Sequence, residues 1–133
     1  MKSIVTLIFF TIILTSCKKE SAISEFESQL IGEWELEFVT NMNGPTNYPQ
    51  GNGNIMIFEK GGVCKGKQNN IFVFEGKFSV TIKNDCFSSG PKTFLITSGS
   101  SSLQMYVAIE NGKLNLSTPN CYTDGNFLRY RKL

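Results

Sequence analysis

Four cysteines and no histidine bound the chemistry open to this chain. Without an imidazole there is no Ser-His-Asp or Cys-His nucleophile, no His-ligated zinc and no histidine pH switch. No two cysteines form a CxxC pair, so a dithiol redox motif and a zinc knuckle lack support. Cys17 stands in a setting unlike the other three. It follows Met1-Lys2-Ser3, an apolar run from Ile4 to Leu14, and the small residues Thr15 and Ser16. A short basic start, a brief apolar stretch and small residues before a cut make a secretory signal. The run is too short to cross a bilayer as a helix, which takes roughly 20 apolar residues.

Leu14-Thr15-Ser16-Cys17 resembles the lipobox of bacterial lipoproteins, an aliphatic residue and two small ones before a cysteine. The resemblance implies that the Cys17 sulfur carries a diacylglycerol, that the chain is cut before Cys17, and that the new amine is acylated. Residues 1–16 are then a signal peptide, 17–22 the lipidated cysteine with a short polar tether, and 23–133 the folded domain. Two or more acyl chains hold a protein durably where one holds it marginally. The expected location is the bacterial cell envelope, lipid-anchored at the outer membrane, with the lipid on Cys17 as the membrane contact.

Removing residues 1–16 from the 133 leaves 117, enough for one domain with a modest core. Lys2 leaves with the signal, so 12 of the 13 basic side chains remain against 11 acidic ones. A net charge so near zero gives no case for nucleic acid, which needs a clustered basic face. No metal or cofactor is expected, and the absence of histidine argues against an enzyme.

Ile23, Phe26, Leu30 and Ile31 share one face at helical spacing, and Ser24 with Glu27 reads as a capping box for a short helix that Gly32 ends. From Gly32 the period changes to two. Trp34, Leu36 and Phe38 alternate with Glu33, Glu35 and Glu37, a packed face against a wet one. Carboxylates about 7 Å apart along a strand suit a solvated outer face far better than acid–base or metal chemistry. Residues 41–53 read as a long Gly/Pro/Asn loop. Strands follow near 54–59, 63–67, 72–82, 93–98, 103–110, 113–118 and 128–131. In the longest, Phe72, Phe74, Gly76, Phe78, Val80 and Ile82 share a face, with Gly76 at a bend or bulge. Asn111-Gly112 is a strong two-residue hairpin signal. Gly51-Asn52-Gly53 is no phosphate cradle, because no helix start follows it. The fold class is all-β, an antiparallel up-and-down barrel of about eight strands behind a short N-terminal helix, since closure removes exposed edges.

Gly32-Glu33-Trp34-Glu35-Leu36, Gly76-Lys77-Phe78, Asp124-Gly125 and Leu128-Arg129-Tyr130-Arg131-Lys132 occur in the order seen in small lipocalin-like lipoproteins of Bacteroidota, which this chain resembles over residues 23–133. The resemblance implies a lipocalin-like barrel in which Trp34, opened by Gly32, plugs the closed end under a basic side chain of the last strand. Arg129, Arg131 and Lys132 are the candidates, with Arg131 preferred. Phe38, Met56 or Ile57, Phe58, Phe72, Phe74, Phe78 and Phe94 read either as cavity lining or as packed core, and a small barrel favours the core.

Counting alternate ends puts 41–53, 67–71, 99–102 and 119–125 at the mouth, rimmed by Met42, Tyr48, Cys121 and Tyr122. These are the candidate ligand-binding residues, since barrel mouths are usual ligand sites. The same count puts Cys64 and Cys86 in turns at the closed end. A Cys64–Cys86 disulfide is therefore expected, with Cys121 free at the mouth. Two non-catalytic functions follow for a monomer: binding a small apolar or amphipathic molecule at the mouth, or presenting loops or an outer wall to another envelope component. A cavity of about 300 Å³ or more favours the first, and a phenylalanine-filled core the second. Replacing Cys17 with Ser should abolish lipidation and leave the precursor uncut. Unchanged membrane fractionation and mass in that variant would refute the anchor.

Overall fold

Residues 18–30 contain no glycine or proline and form a single helix, α1, in the computed structural model, which describes residues 18–87, 90–99, 102–119, 121–122 and 124–133. The signal segment and Cys17 lie outside the described residues. The stretch 18–22, expected as a tether, is helical, because Lys18 to Ala22 offer nothing that breaks a helix. Ser24 is consequently inside the helix rather than at its cap, and its carbonyl accepts a hydrogen bond from Ser28 Oγ at 2.9 Å. No helix among the described residues is long and apolar enough to cross a membrane.

Among the described residues nine strands follow: β1 (Gly32–Asn41), β2 (Gly44–Asn47), β3 (Ile55–Glu59), β4 (Val63–Gln68), β5 (Ile71–Asn84), β6 (Pro91–Gly99), β7 (Leu103–Glu110), β8 (Lys113–Ser117) and β9 (Phe127–Lys132). Antiparallel neighbours run β1-β3-β4-β5-β6-β7-β8-β9, and β9 pairs back onto β1, which closes an eight-stranded barrel. The short β2, inside the stretch expected as loop, extends β1 as a flap. Asn111 and Gly112 both take positive φ between β7 and β8, as a type I′ turn requires.

The closed end is built where α1 meets β1 and β9. A helix leaves its last carbonyls without internal partners. Here the Leu30 carbonyl accepts the Trp34 indole N–H at 2.7 Å, and the Gln29 carbonyl accepts Lys132 Nζ at 3.2 Å. Lys132 Nζ also lies 5.0 Å from the Trp34 ring centre. The basic side chain across the tryptophan is thus Lys132. Arg131, one residue earlier and on the opposite face of β9, pairs with Glu35 instead. Gly32 sits at φ +133°, and a Cβ there would press on Lys132 Cε at 3.3 Å. Leu30 is fully buried, and with Trp34, Phe58, Cys64, Phe78 and Val80 it fills the closed half of the core. The Phe58 and Phe78 rings meet edge to face at 5.1 Å.

Three phenylalanines leave the interior that simple alternation assigns them. A bulge between Leu36 and Phe38 turns Phe38 outward to pair with Arg129, whose guanidinium lies 5.5 Å from both the Phe38 and Phe127 rings. A second irregularity opposite Gly66 and Lys67 inserts Val73 as an extra residue and places Phe72 beside Lys67, 61% exposed. That bulge lies three residues before Gly76, where it was expected; Gly76 instead lets β6 approach closely at Ser98. On β6 the inward residues are Leu95 and Thr97, so Phe94 faces out. It packs against Tyr106 at 5.0 Å, beneath Lys83.

The expected Cys64–Cys86 bridge is absent. Cys86 is bonded to Cys121, with 5.9 Å between their Cα atoms, and Cys64 is a free, buried thiol. The expectation treated the full barrel height as separating Cys86 from Cys121. Strand tilt removes that separation. Phe94 is level with Tyr106 and Tyr106 with Ser117, so β8 ends only three residues, roughly 10 Å of strand, above the level of Pro91. The turn after β8 reaches down to the β5–β6 turn across that distance. Burial pushes the Cys64 thiol above its ordinary pKa, as befits a packing group.

Trp34→Ala should cost about 3–5 kcal/mol, the usual result of emptying a buried aromatic site. Trp34→Phe keeps most of the ring but drops the bond to Leu30, and should cost clearly less. Denaturant midpoints measure both, and equal midpoints for wild type and Trp34→Ala would refute the plug.

Candidate functional site

The half of the barrel away from α1 holds a cavity of about 620 Å³. Its deeper wall comes from Met56 of β3, Leu95 of β6, Met105 of β7, Leu116 of β8, and Leu128 and Tyr130 of β9. Thr97, Ser102, Leu103, Gln104, Thr118, Tyr122 and Asn126 surround the opening. Among the described residues no phenylalanine and no charged side chain lines it. Two methionines give the wall adaptable, polarizable surface.

The polar groups divide by depth. Ser102, Gln104 and Asn126 are exposed at the rim and meet solvent. The Thr97 hydroxyl accepts the Leu103 N–H at 3.3 Å, and the Thr118 hydroxyl accepts the Asn126 N–H at 3.0 Å. Tyr130 is different. It is 8% exposed and forms no hydrogen bond with any described residue. Burial pushes its phenol up to about 12, so it stays a neutral donor across the physiological range.

Of the four candidate rim residues, only Tyr122 lines this cavity, at 63% exposure. Met42 projects from the β1–β2 turn into solvent. Tyr48 is held through its backbone, its N–H donating to the Glu37 carbonyl and its carbonyl accepting Arg131 Nη2 at 2.7 Å. Cys121 is committed to the disulfide that ties the turn carrying Tyr122 to Cys86. Asp85 lies with these two sulfurs in a group of potential metal donors, but a disulfide offers no thiolate to an ion. The other mouth positions 100–101, 120 and 123 lie outside the described residues.

The long 41–53 stretch is a fastened strap rather than an open rim, and Glu35 is the reason. Expected on a wet face, Glu35 is 2% exposed. Its carboxylate accepts the Gly51 N–H at 3.0 Å and the Gly53 N–H at 3.4 Å, and lies 3.6 Å from Arg131 Nε. Gly51-Asn52-Gly53 thus does cradle an anion, namely the protein's own carboxylate. Gly53 takes φ +74°, where a Cβ would also collide with Asn70. Asn52 Nδ2 donates to the Leu36 and Pro49 carbonyls, and Leu36 N–H donates to the Asn54 carbonyl. Glu37, next along β1, bonds Lys113 at 2.8 Å, which lowers its pKa.

Sequence reasoning missed Tyr130 and Glu35 as key positions and had Lys132 as one of three candidates beside the preferred Arg131. For Tyr130 the signal was available: Leu128-x-Tyr130 places one polar tip among the inward residues of the last strand. Nothing in the pattern marks Glu35 apart from Glu33, because its partners come from a loop 16–18 residues away.

No family model matches the chain, and neither a curated protein nor a solved structure does. The described lining residues offer an uncharged, mostly apolar chamber onto which the Tyr130 hydroxyl faces without a protein partner. Replacing Glu35 with Gln leaves Arg131 without its carboxylate and weakens both glycine contacts. The pair is only partly shielded, so a cost of roughly 2–3 kcal/mol is expected, between exposed and fully buried cases. A urea midpoint matching wild type would show that the carboxylate does not hold the strap.

Proposed function

We propose that this chain is a lipid-anchored envelope lipoprotein whose lipocalin-like barrel holds a small apolar or amphipathic molecule at its mouth, without catalysis. The observation that carries the ligand reading is the 620 Å³ cavity. Ligand pockets typically run about 300–1,000 Å³, with mostly apolar walls and a few polar groups. Of the phenylalanines that would have argued for a filled core, Phe58 and Phe78 pack in the closed half, Phe38, Phe72 and Phe94 face outward, and Phe74 packs against the core near Met56 without lining the cavity. The anchor reading rests on Leu14-Thr15-Ser16-Cys17 following an apolar run.

The second reading, a non-catalytic interaction module, draws on a different observation. Ile71, Phe72 and Val73 stand exposed together at the start of β5. Consecutive exposed apolar residues at a hairpin tip suit contact with another envelope component. The two readings separate on whether the cavity is used.

Leu116→Trp, which places a large ring from the deep wall into the cavity, distinguishes them. The uncharged dye N-phenyl-1-naphthylamine should bind the soluble domain with a fluorescence gain, and the variant should bind it at least tenfold more weakly while keeping a similar thermal midpoint. Equal dye binding by both proteins would refute the ligand reading.

A further inference from the structure

A buried polar group without a partner is costly, on the order of 1–3 kcal/mol, so natural interiors rarely leave one. Tyr130 lines the cavity with a hydroxyl that has no protein partner, and a ligand that displaces water from the chamber leaves that hydroxyl in such a state unless it brings an acceptor. β9 runs from the mouth toward α1, so Tyr130 lies one inward position deeper than Leu128. It shares the chamber lining with the apolar side chains of Leu95, Met105 and Leu116. The other buried polar side chain of the wall, Thr97, is already bonded. The rim groups are hydrated, so they favour no particular ligand strongly.

We propose that Tyr130 sets the ligand class: an uncharged amphiphile whose inserted end carries a hydrogen-bond acceptor, a carbonyl, ester or ether oxygen, that takes the Tyr130 hydroxyl. This rests on the ligand reading above and narrows it. An ionised carboxylate is disfavoured because no lysine or arginine among the described residues lines the chamber to offset its desolvation. A pure hydrocarbon is accepted by the walls but leaves the phenol unsatisfied. A site built to bond a polar group rejects analogues lacking it more sharply than an apolar pocket rejects a size change.

Displacement of N-phenyl-1-naphthylamine by three ten-carbon probes, decane, 2-decanone and decanoate, at pH 8 on wild type and Tyr130→Phe tests the assignment. In wild type the ketone should bind roughly tenfold tighter than the alkane, the equivalent of one satisfied buried bond, and decanoate weakest of the three. In Tyr130→Phe the ketone should lose that advantage while decane binds as well or better, which also shows that the variant is folded. Decanoate binding as tightly as the ketone, or an unchanged ketone-to-alkane ratio in the variant, would overturn this assignment alone. A wild-type domain that takes neither dye nor any probe would overturn it together with the ligand reading.

Discussion

Two side-chain contacts on the last carbonyls of α1 tie the first and last strands into one structure. Trp34 is on β1 and Lys132 on β9, and both donate to the end of α1 while stacking on each other. The same two residues stand opposite each other in the β1–β9 register that closes the barrel. A cation near a helix C-terminus is favourable, and an indole N–H in the core needs an acceptor. Each requirement is met by the other element, so the helix end and the closure seam support one another. Without α1, Trp34 would keep an unsatisfied buried donor and the closed end would stand open.

With that end sealed, the open half is defined by what is turned out of it. Bulges in β1 and opposite β4 rotate Phe38 and Phe72 outward, and the phase of β6 sends Phe94 the same way. Arg129 and Lys83 lie over the Phe38 and Phe94 rings, long cationic side chains on aromatic faces, whereas Phe72 stays largely exposed beside Lys67. Leucine and methionine are left to line the interior at that level, and they do not fill it. Two bulges and the phase of β6 thus keep these three rings out of the cavity. The Cys86–Cys121 bond ties down the turn carrying Tyr122 at its opening, while the strap held by Glu35 contributes no residue to its lining.

The barrel itself was legible in the residues. Period-two alternation, the Asn111-Gly112 turn and the change of period at Gly32 mark the strands and the helix end. The closed-end tryptophan and a basic partner from β9 were legible through family resemblance, although the partner is Lys132 rather than Arg131. Three things were not. A one-residue bulge leaves no trace in an alternating pattern, so Phe38 and Phe72 were placed inside. Strand tilt brings Cys121 to Cys86, and tilt depends on pairing register, which a single strand does not encode. The burial of Glu35 depends on backbone N–H groups of a glycine-rich loop, and these look the same whether the loop is free or fastened. The candidate site suffered most, because it lies where these three effects meet. Of its four proposed residues only Tyr122 reaches the cavity.

The central claim is that the mouth of this barrel is an occupied site. Native mass spectrometry of the domain after incubation with a lipid and small-molecule extract of its own cells tests this most directly. One extra non-covalent mass of a few hundred daltons per chain, released on unfolding and carrying no net charge in solution, is expected. A domain that emerges at its bare mass would contradict it.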